Sequence, residues 1–284
     1  MSDWFPGPAW LFCPADRPDR YAKALARADL VILDLEDAVS PANKVAAREA
    51  LRQLARDSVL DTDRTLVRIN GTQSSDHSLD LGVVAAVGLP RVMLAKSEDP
   101  VDLAAIDQDV VLLVETPRGI ERVTELAAQD NVIGVMWGAD DLVAGLGGTT
   151  SRHADGRYRD VARYARSRAL VAAKAAGRLA IDAVHMDIAD TTGLAAECED
   201  AVASGFEATA AIHPSQVPVI RAAYAPSPEQ VDWATRLLAH VGDDRGVTTF
   251  EGRMVDGPVY TQAERVLRLA AAVPARDTAS SGEH

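Results

Sequence analysis

The sequence predicts an α/β chain folded as a (β/α)8 TIM barrel with a C-terminal helical/β extension. Three observations predict it. Eight short β-rich runs recur along the first three quarters of the chain: 10–14, 30–34, 65–70, 91–96, 110–115, 132–137, 179–184 and 208–213. Most are continuously apolar rather than alternating, which is the pattern of parallel strands covered on both faces. Segments with helical spacing of Ala, Leu and Arg lie between them, at 20–28, 44–56, 120–128, 158–176 and 192–204. Eight strand–helix repeats in this length suit a closed barrel. An open doubly wound sheet is the competing fold and normally needs fewer strands.

Past His213 the pattern changes. Ser227-Pro228-Glu229 opens a helix over 227–241, a Gly-bounded β-rich piece follows at 246–252, and 259–272 reads as a last helix. The expected organisation is a catalytic barrel over 7–225, an extension over 226–274 and a frayed polar tail over 275–284.

Composition narrows the function. The 284 residues carry 29 Lys and Arg against 42 Asp and Glu, a net charge of −13. Nucleic acid is excluded as a partner because the basic footprint is missing. An anionic membrane has nothing to attract, and no run of 18 apolar residues exists. The N-terminus lacks a secretory signal design, and Cys13 and Cys198 form no metal or disulfide pattern. A reducing cytoplasm is expected, with Cys13 as a small buried hydrophobe.

In a barrel of this kind the chemistry sits where strands end. Strand two runs into Glu36-Asp37, strand three carries Arg68 and Asn70, and strand four ends in Lys96. Strand five ends in Glu115, strand six runs into Gly138-Ala139-Asp140-Asp141, and strand eight ends in His213-Pro214. A rim of carboxylates without Cys or His partners suits a hard oxygen-loving cation, Mg2+ first, and Glu115 with Asp141 could supply the pair. Each residue also has a structural reading. Glu36 and Asp37 could cap a helix, Lys96 could be a solvated rim lysine, and Asp140 or Asp141 could cap the next helix. Arg68 in an apolar strand needs an acidic partner in any case. His213 reads as a structural hydrogen-bonding residue, and 145–148 (GLGG) as a flexible loop rather than a phosphate cradle. No HExxH, GxSxG or strand-borne GxGxxG is present, which disfavours zinc hydrolases, serine hydrolases and nicotinamide binding.

Seven segments in order carry a family resemblance: LFCPADRPDRYAKA at 11–24, VILDLEDAV at 31–39, VRIN at 67–70, LLVETPRG at 112–119, WGADDL at 137–142, IHPSQ at 212–216 and FEGRMVDGPV at 250–259. With them the chain resembles the citrate lyase β-subunit-like branch of the HpcH/HpaI aldolase superfamily, and in particular its stand-alone CitE-like members of actinobacteria that act on acyl-CoA. One departure is Ala95-Lys96, where many relatives carry proline.

The resemblance implies that Glu115 and Asp141 bind Mg2+, with Mn2+ as a substitute, and that Glu36 and Asp37 orient its waters. It implies that Arg68 faces the enolate, and that Lys96, Gly138, Ala139 and Asp140 line the substrate and CoA site. Asp256 is then the acid/base, delivered as part of a lid from a neighbouring subunit of a homotrimer. The implied reaction is retro-Claisen cleavage of malyl-, citramalyl- or hydroxymethylglutaryl-CoA to acetyl-CoA and a keto acid, with thioester hydrolysis as an accompanying activity. Alternatives are a citrate lyase complex subunit, a class II pyruvate aldolase, and a non-catalytic CoA-thioester-binding protein.

Overall fold

The computed structural model describes residues 4–242 and 245–272; the expected tail at 275–284 lies outside the described residues. Eight parallel strands close into a barrel in chain order, β1 (Ala9–Pro14), β2 (Leu30–Asp34), β3 (Thr65–Ile69), β4 (Arg91–Leu94), β5 (Asp109–Val114), β6 (Val132–Trp137), β7 (Leu179–Asp182) and β8 (Ala208–Ala211), with β8 pairing back onto β1. Helices α1 (Tyr21–Arg27), α2 (Lys44–Arg56), α3 (His77–Ala86), α4 (Pro100–Leu103), α5 (Pro117–Ala127), α6 (Ala139–Gly145), α7 (Asp160–Ala175) and α8 (Thr191–Ser204) fill the crossovers. The (β/α)8 barrel is therefore the fold. Among the described residues no helix is long and apolar enough to cross a membrane.

Period two along the strands decides what meets in the middle. Leu30 and Ile32, Leu66, Val111 and Leu113, and Ala208 and Ala210 belong to one buried cluster with Trp10, Met93, Met136 and Ile181. These are the inward positions, so the barrel centre is a packed core rather than a pore. Continuing the same alternation to the strand ends brings Asp34, Arg68 and Glu115 onto the inward side at the C-terminal rim. In the ladder, Asp34 of β2 lies directly beside Arg68 of β3.

Five strands stop one or two residues short of the predicted ends, at Ile69, Leu94, Val114, Asp182 and Ala211. The polar residues there serve the rim instead of the ladder. Lys96, for example, has φ +50°, which no strand accommodates. The sequence reading also has no helix between strands three and four. α3 (HSLDLGVVAA) carries a glycine and two adjacent valines, poor helix formers that blur the periodic signal, yet it forms because Val83 and Val84 are buried in the packed structure.

The chain divides into two compact units, one reaching Ile220 and one starting at Arg221, with α9 (Val217–Tyr224) crossing the division. The second unit holds α10 (Pro228–Val241), a hairpin of β9 (Thr248–Phe250) and β10 (Arg253–Val255), and α11 (Gly257–Ala272). α10 starts at the predicted Ser227. Its hydroxyl accepts from Gln230 N, and Gln230 Oε1 accepts from Ser227 N, a reciprocal cap. The hairpin turns on Glu251 and Gly252, both at positive φ, the handedness that matches strand twist. Ala234, Leu237, Val255, Tyr260 and Ala263 form the core of this unit.

Candidate active site

At the C-terminal rim a cavity of about 230 Å³ opens between Asp34, Arg68, Glu115, Gly138, Ala139, Asp140 and Asp141 on its polar side and Phe12, Leu113, Met136, Val184, Met186 and Ile212 on its apolar side. Six of the ten predicted site residues line it: Arg68, Glu115, Gly138, Ala139, Asp140 and Asp141. Glu36 and Asp37 are tied to it by Lys96, whose Nζ donates to both acids and whose backbone N donates to Glu115. Asp256 belongs to the second unit, in the turn between β10 and α11, where its carbonyl accepts from Val259 N and Tyr260 N.

Glu115 is 3% exposed at the end of β5. Its Oε1 accepts from the Lys96 backbone N at 3.1 Å. Burial pushes its carboxyl up to about 8; Arg68 and Lys96 pull against that rise, and the Asp141 and Glu36 charges add to it. Gly138 leaves the space for it, because a Cβ there would sit 2.8 Å from Glu115 Cβ and 2.9 Å from Oε2. Asp141 comes in on the first turn of α6. Neither it nor Asp140 caps that helix: Gly138 is the N-cap, and Asp140 Oδ1 accepts instead from Ser151 Oγ at 2.7 Å.

A hard divalent cation fits this donor set. The donors are oxygens, and one is a buried carboxylate whose charge is costly without a counter-ion. Among the described residues no group of three or more His, Cys, Asp or Glu encloses a metal position, and Mg2+ characteristically uses only one or two protein carboxylates.

Arg68 lies 4.9 Å from the Phe12 ring centroid, and its Nη1 is 3.2 Å from Glu36 Oε2. Burial disfavours its charge, but Asp34 and Glu36 hold it above the ordinary arginine range, so it stays a cation. Lys96 Nζ donates to Glu36 and to Asp37, the latter at 3.1 Å. These contacts hold its ammonium above the ordinary lysine range against the effect of burial. Lys96, expected at the substrate and CoA site, is thus the tie between the β2 and β4 loops and, through its backbone, β5.

Sequence reasoning assigned no role to Asp34, Lys44 or Asn70. Lys44 Nζ donates to the carbonyls of Leu35 and Glu36 and to Asn70 Oδ1, at 2.8, 3.0 and 2.8 Å. Asn70 Nδ2 donates to Leu35 O and to the buried Asp80, which Arg48 also bonds. This network fixes the backbone that presents Glu36 and Asp37. The signal for Asp34 was available: an acid ending an apolar strand one strand away from an arginine. Lys44 gave none, since it opens a helix like any surface lysine. His213 has the structural role expected of it, with Nδ1 accepting from Ser215 N at the start of a short 3-10 helix. Cys13 is buried, and burial pushes its thiol up to about 11.

The model of the HpcH/HpaI aldolase/citrate lyase family matches residues 9–214. The chain belongs to that family. It is a lyase of the HpcH/HpaI aldolase type. It is 55% identical over 265 residues to a citrate lyase subunit beta-like protein of Mycobacterium tuberculosis, covering 93% of this chain and 96% of that one. It is 30% identical over 301 residues to the mitochondrial citramalyl-CoA lyase of Rattus norvegicus, covering 95% and 88%. Among solved structures, CitE from Mycobacterium tuberculosis in complex with magnesium, acetoacetate and coenzyme A superposes with a TM-score of 0.83 at 55% identity, covering 93% of this chain and 98% of that one.

Proposed function

We propose that this HpcH/HpaI family member is a Mg2+-dependent lyase that cleaves a 3-hydroxyacyl-CoA to acetyl-CoA and a keto acid. The observation that carries the reading is the rim cavity of about 230 Å³, where the buried Glu115 and the exposed Asp141 face the fixed guanidinium of Arg68. The complex of the Mycobacterium tuberculosis relative with magnesium, acetoacetate and coenzyme A supports it, since that set is one cation, one keto acid and one thioester carrier.

Glu115 and Asp141 would hold Mg2+, which when bound supplies Lewis-acid stabilisation to the oxygens that become the keto acid. Arg68 does the complementary work. The bond between the carbinol carbon and the thioester's α-carbon breaks, its electron pair becomes an enolate, and the hydroxyl passes its proton to water at the cavity edge as it becomes the carbonyl, which balances the proton the enolate carbon takes up. A preorganised guanidinium facing the thioester oxygen stabilises that charge by about 3 kcal/mol, the scale of one oxyanion-hole donor. Phe12, Leu113, Met136 and Ile212 keep the reacting carbons out of water, which strengthens each charge interaction. Glu36 and Asp37, fixed by Lys96, Lys44 and Arg68, accept hydrogen bonds from water at the cavity edge. Asp256, brought by a neighbouring copy in a homotrimer, returns a proton to the enolate carbon. Water in place of the keto acid would turn the same site to thioester hydrolysis.

The setting of this reading is the cytoplasm, with small-molecule acyl-CoA and keto-acid partners. The test is a Mg2+-dependent cleavage panel over malyl-, citramalyl- and hydroxymethylglutaryl-CoA in both configurations, with products identified. Release of acetyl-CoA and a keto acid from at least one is expected. No C–C cleavage from any of them, with Mg2+ bound, removes the reading.

A further inference from the structure

We propose that Asp34 is a positioning residue that sets the direction of the Arg68 guanidinium and locks it to the loop bearing Glu36 and Asp37. This rests on the reading of Arg68 as the group that faces the developing enolate.

Asp34 is completely buried at the end of β2, beside Arg68 in the β2–β3 ladder. Its two oxygens take four donors. Oδ1 accepts from Arg68 Nε at 2.7 Å and from Glu36 N at 2.8 Å. Oδ2 accepts from Arg68 Nη2 at 2.5 Å and from Ala38 N at 3.0 Å. An ionised carboxylate has about four acceptor sites, so this one is fully used. Each oxygen serves the arginine and the loop at once. The guanidinium therefore cannot turn without disturbing the Glu36–Ala38 backbone.

The bidentate grip also decides which edge of the arginine works. Nε and Nη2 are taken by Asp34, and the Phe12 ring lies at 4.9 Å. Nη1 remains for the cavity, with Glu36 Oε2 at 3.2 Å. A planar fork held along one edge presents the opposite edge in a fixed direction, which a lysine or a singly bonded arginine cannot do. A role confined to the turn is a different matter: it would need only the two backbone donors, not the pair from Arg68.

Asp34→Asn separates these. The amide keeps the size and one acceptor oxygen, but whichever way it is placed its NH2 meets one arginine donor and one backbone donor. On a substrate cleaved in the panel, kcat is expected to fall about 100-fold, the effect of misplacing a catalytic group by roughly 1 Å, with KM changed far less. In an Arg68→Lys background the same substitution should cost little more, because Asp34 acts through Arg68. Independent, multiplicative losses, or a normal kcat in Asp34→Asn while Arg68→Lys is crippled, overturn the proposal. Normal activity of Arg68→Lys overturns instead the reading of Arg68.

A second measurement needs neither a substrate nor a folded Asp34 variant. In the 15N spectrum of the unsubstituted protein, the Arg68 Nε–H signal, assigned by its loss in Arg68→Lys, should be downfield and slow to exchange with solvent. A signal at the ordinary arginine position that exchanges rapidly overturns the proposal.

Discussion

Lys96 carries more of the site than its type suggests. It stands at φ +50°, a conformation that costs a non-glycine residue on the order of 1 kcal/mol or more. Its Nζ on Glu36 and Asp37 and its backbone N on Glu115 over-determine that conformation, so the cost is met by charge-assisted contacts. Glu115 is the other unusual residue, a carboxyl pushed up to about 8 chiefly by burial. Glutamine copies the neutral carboxyl that burial favours in the metal-free protein. Glu115→Gln should therefore leave the metal-free protein as stable as before, or more so, while weakening Mg2+ binding by at least about tenfold, the lower end of losses at metal sites. Calorimetric titration with Mg2+ alone measures this. Asp141→Asn should behave alike toward the metal, and cleavage by the unsubstituted protein should stop in excess EDTA. Unchanged Mg2+ affinity in both variants, or activity that survives EDTA, contradicts the assignment of these two acids.

At the scale of elements, the turn from β5 into α5 shows how a motif encodes a site. Thr116 caps α5 by accepting from Gly119 N at 3.0 Å. A Cβ at Gly119 would sit 2.4 Å from the Ser97 carbonyl, so glycine is required for the helix to start this close to the β4 loop. Gly119→Ala must push apart the segment next to Lys96, and a loss of about 1–3 kcal/mol in thermal or denaturant stability is expected. A variant as stable as the parent would mean that the contact relaxes freely. A second element-level device joins the β7–α8 loop to α8. His185 Nδ1 bonds Glu197 Oε2 at 2.9 Å, and this contact, against burial, raises the imidazole above its ordinary range. A raised histidine contributes stability in full below its unfolded value of about 6.5, and loses it as pH rises through the folded value. The stability gap between the parent and His185→Gln should therefore be widest near pH 5.5 to 6, roughly, and narrow as pH rises. Melting curves across pH measure it, and a gap that widens with pH would reverse the sign of the argument.

At the scale of the whole molecule, the second unit is a small helix–hairpin–helix body with its own apolar core. Asp256 sits where its hairpin meets α11. If the lid serves a neighbouring subunit, Asp256→Ala and Arg68→Ala each inactivate a homotrimer, but mixed trimers contain sites with both residues intact. Recovery of cleavage after subunit exchange is the expected result. No recovery after exchange has been verified by mass spectrometry would confine the acid/base to its own chain or remove it.

The sequence by itself determined the barrel and the ring of polar residues at its rim. Continuous apolar runs such as LVILD and VVLLV can be buried on both faces only in a parallel sheet, and eight of them close it. The acids and Arg68 were legible because charged residues that interrupt apolar strands need a reason to be there. Only the tertiary structure decided which charge holds which. Asp34 grips Arg68, Lys96 ties Glu36 and Asp37, and Lys44 supports the loop from below, through contacts between residues up to 60 positions apart in the chain. The physical reason is that periodicity fixes which side of a strand a residue faces, whereas hydrogen-bond partners across a barrel rim depend on strand register and loop direction, which only the packed chain sets.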